Sequence, residues 1–228
     1  MKSFLGAGLA AALVFIPSVG RSDVVYDSNQ YPPGDSYWWW GYTNYQEEGN
    51  VIALAGAARS LQAVTVDDFA FTTGTFEITA SIYAVPATIN DGDTLSNPLW
   101  SETVQKSYQG GGGLEVDDIT FPAVNVTLPD QIVLDFSFTA VSGQAGLLCQ
   151  LDYAGDHAYN PPDVGEIAAD VSYEGVGSSP ASWSNIPNGT GFYYPIGTVY
   201  AAAVPDPATI VVLGVGVVGL ARARRRQS

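Results

Sequence analysis

The sequence predicts an all-β protein whose body is a single antiparallel β-sandwich, jelly-roll-like in arrangement. Several segments alternate apolar and polar residues, no segment keeps a helical period, and turn sequences separate the alternating segments. A body of about 180 residues suits one domain. Many short strands between such turns are typical of sandwiches, and a closed barrel is the alternative.

The clearest alternation lies in residues 75–84 and 131–139. In the first segment Ile78 and Ile82 fall on one face, and in the second segment Leu134 and Phe136 do so. We expect these four side chains in the core. Further strands are predicted at 51–55, 61–66, 68–72, 99–107, 116–121, 124–128, 146–151, 170–174 and 191–202.

The N-terminus has the pattern of a secretory signal peptide. Lys2 supplies a positive charge, residues 4–16 are apolar, and small residues follow Pro17. We assign residues 1–22 to this signal and place cleavage after Ser22, with Gly20 as the other site. An uncleaved anchor is the competing interpretation. Either way, residues 23–203 are predicted to lie outside the cytoplasmic membrane.

The C-terminus predicts a membrane anchor in residues 204–228. An uncharged run of 14 residues, 208–221, is followed by the cluster Arg222, Arg224, Arg225 and Arg226. Such a run forms about 21 Å of helix, which is short for a span unless flanking residues and arginine stems extend it. Positive residues stay on the cytoplasmic side, so the arginines fix the orientation. The alternative is a buried terminal element of a soluble domain, which has no need of four arginines.

The body is strongly acidic. Residues 23–203 contain 22 acidic residues against only Arg59 and Lys106, a formal charge near −20. Nucleic acids are excluded as partners, because phosphate binding needs clustered lysine and arginine. Such a surface keeps an exported protein dispersed and attracts divalent cations.

The tail motif Val204, Pro205, Asp206 and Pro207 precedes the apolar run. An export signal, an acidic β-rich body, this motif, an apolar span and terminal arginines together resemble the PEP-CTERM family of exported bacterial proteins. The resemblance covers residues 204–226. The family's usual motif is Val-Pro-Glu-Pro, and here Asp206 replaces the glutamate with a carboxylate one methylene shorter.

The resemblance implies sorting by an exosortase, a membrane enzyme that recognises the motif and cuts near it. The chain would be anchored in the inner membrane and then released to the cell surface or extracellular matrix. The family is tied to exopolysaccharide and biofilm, so exopolysaccharide is the implied partner of the body.

Calcium is the one metal that the sequence favours, with Asp91 and Asp93 as ligands in the turn 90–93. The acidic pairs 67–68 and 117–118 offer similar oxygens, but no segment has EF-hand spacing. Asp–Gly clusters are also ordinary turn formers. No other cofactor is predicted, because the glycines of 214–219 lack the strand and amphipathic helix of a dinucleotide site.

No catalytic residue is predicted, and we expect the protein not to be an enzyme. His157 is the only histidine, and no Gly-x-Ser-x-Gly nucleophile motif accompanies it. Zinc would need three or four ligands, and Cys149 is the only cysteine. We expect Cys149 to be a small core residue.

The run Trp38–Trp40 is the most unusual part of the body. Exposed aromatic rings can stack on sugars, whereas consecutive residues of a strand point alternately and can pack into a core. The sequence therefore predicts an acidic surface or matrix protein with a structural or adhesive role. The alternatives are a lectin-like carbohydrate-binding module and a polysaccharide hydrolase.

Overall fold

A computed structural model describes most of the body of the chain. Residues 1–21 of the signal peptide, His157 and the tail motif with its anchor lie outside the described residues. No helix within the described part has the length and hydrophobicity needed to cross a bilayer. The described residues are 22–28, 38–40, 45–70, 72–109, 115–142, 145–153, 162, 164–176, 181–187 and 190–203.

The described residues form strands and connecting segments, as the alternation predicts. The β-branched and aromatic residues of the alternating segments favour extended backbone. In chain order the strands are β1 (Asp23–Asp27), β2 (Trp38–Trp40), β3 (Tyr45–Ala53), β4 (Ser60–Ala70), β5 (Gly74–Ala84), β6 (Trp100–Tyr108), β7 (Glu115–Thr127), β8 (Gln131–Val141), β9 (Ala145–Tyr153), β10 (Glu166–Val176), β11 (Ser182–Asn185), β12 (Gly191–Pro195) and β13 (Gly197–Ala202).

Two antiparallel sheets contain all of these strands, in the arrangement of a β-sandwich. One sheet has the order β11-β10-β3-β8-β5-β6. The other has the order β1-β13-β4-β9-β12, with β7 on the second edge of β4 and β2 on the second edge of β9. From β2 to β9 the chain crosses repeatedly between the sheets, so most pairings join strands that are not consecutive, and β5–β6 and β10–β11 are the consecutive pairs.

One large hydrophobic core lies between the sheets and confirms the predicted inward positions. Ile78, Ile82, Leu134 and Phe136 are all buried in it, and so is Cys149. Val64 and Val66 of β4 and Phe121 of β7 reach the same core from the second sheet. Period-two alternation is therefore a reliable guide where one face of a strand meets this core.

Some strand boundaries differ from the sequence expectation. The predicted strands 61–66 and 68–72 are one strand, β4, and 116–121 with 124–128 are one strand, β7. These two long strands pair with each other over most of their length, which holds the acidic residues of both within the ladder. Strand β11 was not predicted, and the predicted strand 191–202 is divided into β12 and β13.

The division at Ile196 is a sharp reversal that fills a fork between β4 and β9. These two strands pair only near Phe69, after which β13 pairs with β4 and β12 pairs with β9. The buried hydroxyl of Ser28 accepts the Gly197 N–H at 2.9 Å and lies 3.1 Å from the Pro195 carbonyl, which it can reach as a donor. A Cβ at Gly197 would lie 2.4 Å from the Thr65 carbonyl oxygen, so only glycine fits there.

Replacing Leu134 with alanine should lower the free energy of unfolding by about 2–5 kcal/mol, because it leaves a cavity in the core. Leu134 is 5 % exposed, whereas Leu99, in the loop before β6, is 40 % exposed. Leu99→Ala removes the same atoms and should change the free energy by less than about 0.5 kcal/mol. Urea unfolding of both variants measures the contrast, and equal losses would contradict the assigned core.

Candidate functional site

The turn that holds Asp91 and Asp93 is docked on strand β11. The Asn90 side-chain amide donates to Asp93 Oδ2 at 2.8 Å, and Gly92 N–H donates to the Trp183 carbonyl at 2.9 Å. Both aspartates are exposed, and no group of three or more His, Cys, Asp and Glu suited to a metal occurs among the described residues. The turn thus has a structural role, and calcium binding there stays a prediction.

The acidic pairs 67–68 and 117–118 lie opposite each other on β4 and β7. The fully buried Asp68 accepts a hydrogen bond from the Tyr108 hydroxyl and lies 3.5 Å from Lys106 Nζ. Lys106 also lies 5.0 Å from the centre of the Tyr108 ring. Protein donors therefore satisfy this carboxylate, which needs no metal ion.

Arg59, the other basic residue of the body, makes its contacts just before the start of β4, whereas Asp68 lies near the end of that strand. Its guanidinium donates to Asp130 Oδ1 at 2.8 and 3.0 Å and to the backbone carbonyls of Leu54, Ala55 and Ala58. These contacts hold the segment between β3 and β4 against the turn before β8. Lys106 and Arg59 are thus both committed to structural contacts.

A polar row crosses the outer face of the six-stranded sheet. Directly paired residues of antiparallel strands lie on the same face, and here the pairings join one residue from each of six strands. The row occupies the positions that alternate with those of the large core, and its Trp183 and Tyr173 belong to a second, smaller hydrophobic cluster on this face. It consists of Trp183, Tyr173, Gly49, Asp135, Ser81 and Ser101.

Asp135 is the centre of this row. Its carboxylate is 2 % exposed, and its Oδ1 has no hydrogen-bond partner among the described residues. Gly49 makes room for it, since a Cβ there would lie 2.9 Å from Asp135 Oδ1. Glu47, two residues before Gly49 on the same face, comes within hydrogen-bonding reach of the Asp135 carboxyl.

We call Glu47 and Asp135 the acid pair, and the raised pKa values of both groups favour a proton bound to the pair. Burial raises the pKa of the Asp135 carboxyl well above its usual range, and the charge of Glu47 and the hydrogen bond with it raise that pKa further. Burial also raises the pKa of the less buried Glu47, and the hydrogen bond with Asp135 opposes this rise. We assign the proton to Asp135 and the negative charge to Glu47, because Glu47 is closer to solvent.

Two tyrosines flank the acid pair. The hydroxyl of Tyr173 accepts the Leu95 N–H at 3.1 Å, and its ring packs edge-on against Trp183 with 5.3 Å between centres. Tyr83 is half-buried and packs against the hydrophobic cluster that contains Tyr173 and Trp183, and burial is the largest cause that raises the pKa of its phenol. We call Glu47, Tyr83, Asp135 and Tyr173 the acid–tyrosine face.

A ladder of hydroxyl pairs continues this face across β5 and β6. Thr75 bonds Ser107 at 2.8 Å, Thr79 bonds Thr103 at 2.8 Å, and Ser81 bonds Ser101 at 3.0 Å. Paired hydroxyls keep free lone pairs and can also donate outward. The acid–tyrosine face therefore opens onto a broad strip of hydrogen-bonding groups.

The sequence alone did not single out the acid–tyrosine face. Residues 75–84 and 131–139 lie in strands as predicted, but their alternation gives no reason to single out the outward residues. The signal that could have found the face is Asp135, an acid at the middle of a strongly apolar strand. The strand Trp38–Trp40 pairs with β9, and its side chains lie outside the described residues, so the choice between core and sugar platform stays open.

The chemistry available to the acid–tyrosine face is hydrogen bonding rather than glycoside cleavage. The two catalytic carboxyl groups of glycosidases lie about 5–9.5 Å apart on either side of the bond that is cut, whereas Glu47 and Asp135 are within hydrogen-bonding reach of each other.

No protein-family model, curated protein or solved structure matches the chain.

The protonated Asp135 should make stability depend on pH. Its pKa is higher in the folded than in the unfolded chain, so its contribution is fully present below about pH 4 and is lost as the pH rises through the folded value. In Asp135→Asn the amide stays neutral. Melting curves from pH 4 to 8 with a chelator should therefore show wild type losing stability relative to Asp135→Asn as pH rises, and a constant difference would contradict the assignment.

Proposed function

We propose that this chain is an exported, non-enzymatic surface or matrix protein with an adhesive role, and that its acid–tyrosine face binds a neutral polysaccharide. The observation that supports this is the row through Asp135 across all six strands of one sheet, with an unpartnered carboxylate oxygen at its centre. This unites the structural or adhesive role expected from the sequence with its lectin-like alternative.

Sugar recognition suits these groups. A sugar ring presents hydroxyls around its edge, and each hydroxyl both donates and accepts hydrogen bonds. Glu47 offers a charged acceptor, and hydrogen bonds to charged groups contribute about 1.5–3 kcal/mol each. Thr79 and Thr103 offer neutral partners beside it, and the half-buried Tyr83 offers an aromatic surface.

The negative charge of the body favours neutral polysaccharides over anionic ones. With 22 acidic residues against two basic ones, the body repels polymers of uronic or sulfated sugars. A neutral chain meets no such barrier, and its hydroxyls can replace water on Glu47. We therefore assign the face to neutral exopolysaccharide and not to anionic polymers or nucleic acid.

The strand connections support a jelly-roll arrangement of the sandwich. Strands β2 to β9 divide into the four-stranded orders β2-β9-β4-β7 and β3-β8-β5-β6, which are parts of the two observed sheets. Two interleaved four-stranded sheets with these crossings have the connectivity of a jelly roll. In this interpretation β10 and β11 extend the edge of the sheet that carries the acid–tyrosine face.

Residues 1–22 and 204–228 account for how the body reaches its polysaccharide. The signal peptide would export the chain, and the apolar run with its four arginines would hold it in the inner membrane. An exosortase would then recognise Val204–Pro207 and release or transfer the body. This sorting step rests on the resemblance to PEP-CTERM proteins and is independent of what the acid–tyrosine face binds.

Changing Glu47 to glutamine should weaken binding to neutral exopolysaccharide about tenfold or more, because a charged acceptor becomes a neutral amide. Affinity electrophoresis in gels that contain extracted polysaccharide measures the change. Glu166→Gln, at the far end of β10, removes the same charge from an exposed position and is the matched control. Unretarded wild-type protein, or equal losses in both variants with unchanged melting temperatures, would overturn the glycan-binding proposal.

Deleting residues 204–228 should move the body from the membrane to the soluble exported fraction, because the anchor is lost. Changing the four tail arginines to glutamine should weaken retention, since the short apolar run alone then has to stop translocation. Fractionation followed by immunoblotting measures both effects. In a host with an exosortase, mass spectrometry should find mature protein cut near Val204–Pro207, and only full-length tails would contradict sorting.

A further inference from the structure

A second polar cluster lies on the opposite face of the same sheet, directed between the two sheets. Glu48 is paired with Glu174 and Asn50 with Ser172 across β3 and β10, so these four residues lie together on one face. On the other side Glu48 is paired with Phe136, a core residue, which fixes this face as the inner one. We call these four residues the interior acid site.

Two side chains of the interior acid site are buried without partners. Glu48 is 1 % exposed and Asn50 is 2 % exposed. Both carboxylate oxygens of Glu48 and both amide atoms of Asn50 lack hydrogen-bond partners among the described residues. Buried polar groups are almost always hydrogen-bonded, because leaving them unpaired costs several kcal/mol. Four unpaired atoms on neighbouring side chains point to a ligand between the sheets.

The remaining two residues complete a set of oxygen donors. Glu174 is half-buried, and its Oε1 accepts a hydrogen bond of 2.6 Å from the Ser172 hydroxyl. The set thus contains two carboxylates, an amide oxygen and a hydroxyl, and it has no nitrogen or sulfur ligand. Hard divalent cations prefer this chemistry.

No basic side chain of the described residues neutralises this site. Arg59 is bound to Asp130 and Lys106 to Asp68, at other places in the fold. Burial raises the pKa of the Glu48 carboxyl well above its usual range, and the negative charge of Glu174 raises it further. A bound cation would remove this electrostatic cost.

We propose that the interior acid site binds a calcium ion, with the carboxylates of Glu48 and Glu174, the Asn50 Oδ1 and the Ser172 Oγ as protein ligands. Calcium suits the site better than magnesium, because magnesium gives up its water reluctantly and a site between two sheets has little room for it. The site is separate from the exposed Asp91 and Asp93, and it does not depend on glycan binding.

Calcium titration of the full-length chain tests the proposal. In a chelator, Glu48→Gln should be at least as stable as wild type, because it removes a buried charge without changing shape. Calcium at about 100 times the dissociation constant should raise the melting temperature of wild type by about 5–10 °C. The rise should disappear in Glu48→Gln, and calorimetry should show an affinity at least about tenfold weaker.

The control variant carries Asp91→Asn and Asp93→Asn together, because it removes two exposed carboxylates and leaves the interior acid site intact. Its calcium response should equal that of wild type, whereas magnesium at the same ionic strength should raise the melting temperature of wild type much less. Where Glu48→Gln fails to fold, Glu174→Gln takes its place, since Glu174 is less buried. A wild type that does not respond to calcium, or a response lost only in the Asp91 and Asp93 variant, would overturn the proposal.

Discussion

The scarcity of positive charge is the constraint on which the interior of this protein depends. The body has two basic side chains for 22 acids. Arg59 forms an ion pair with Asp130 on the surface. Lys106 forms one with the buried Asp68, which also accepts a hydrogen bond from the Tyr108 hydroxyl. Buried carboxylates are tolerated when they are paired, hydrogen-bonded or protonated. Asp68 follows the first two routes, and Asp135 follows the third with Glu47 as its neighbour. Glu48 has neither an ion-pair partner nor a hydrogen-bond partner among the described residues, and a cation would let it stay ionised.

The sequence predicted the fold best where one face of a strand is apolar. Residues 75–84 and 131–139 alternate cleanly, and Ile78, Ile82, Leu134 and Phe136 are buried as expected. The prediction failed where pairing outside the segment decides the structure. Strand β4 stays continuous through its acidic pair 67–68 because β7 pairs along it. The strand predicted at 191–202 is divided because Ser28, 167 residues before Pro195, fixes a reversal that no local pattern encodes.

The acid–tyrosine face and the interior acid site were beyond sequence reasoning for different reasons. Asp135 stands at an outward position, where a charged residue needs no explanation, and only the structure shows that it is buried on the face that carries Tyr83 and Tyr173. Strand β3 reads Tyr-Gln-Glu-Glu-Gly-Asn-Val-Ile-Ala and has no alternation in its first half, so neither face could be assigned. Only the register with β8 and β10 shows that Glu48 and Asn50 point inward. A charged residue at an inward position indicates a site only after the inward face of its strand has been identified.

Adjacent residues of one strand link the two sites. Glu47 points outward and Glu48 inward, so the acid pair and the interior acid site are separated by the thickness of a single sheet. Burial raises the pKa of Glu48 on the inner face and of Asp135 on the outer face. A cation at Glu48 would act in the reverse sense, because a nearby positive charge favours ionised carboxylates on both faces. The acid pair would then lose its proton at lower pH. By reciprocity, ligands that favour the ionised pair would strengthen cation binding. The scarcity of positive charge, which makes the buried carboxylates of the interior acid site costly, thus also couples that site to the acid pair on the outer face.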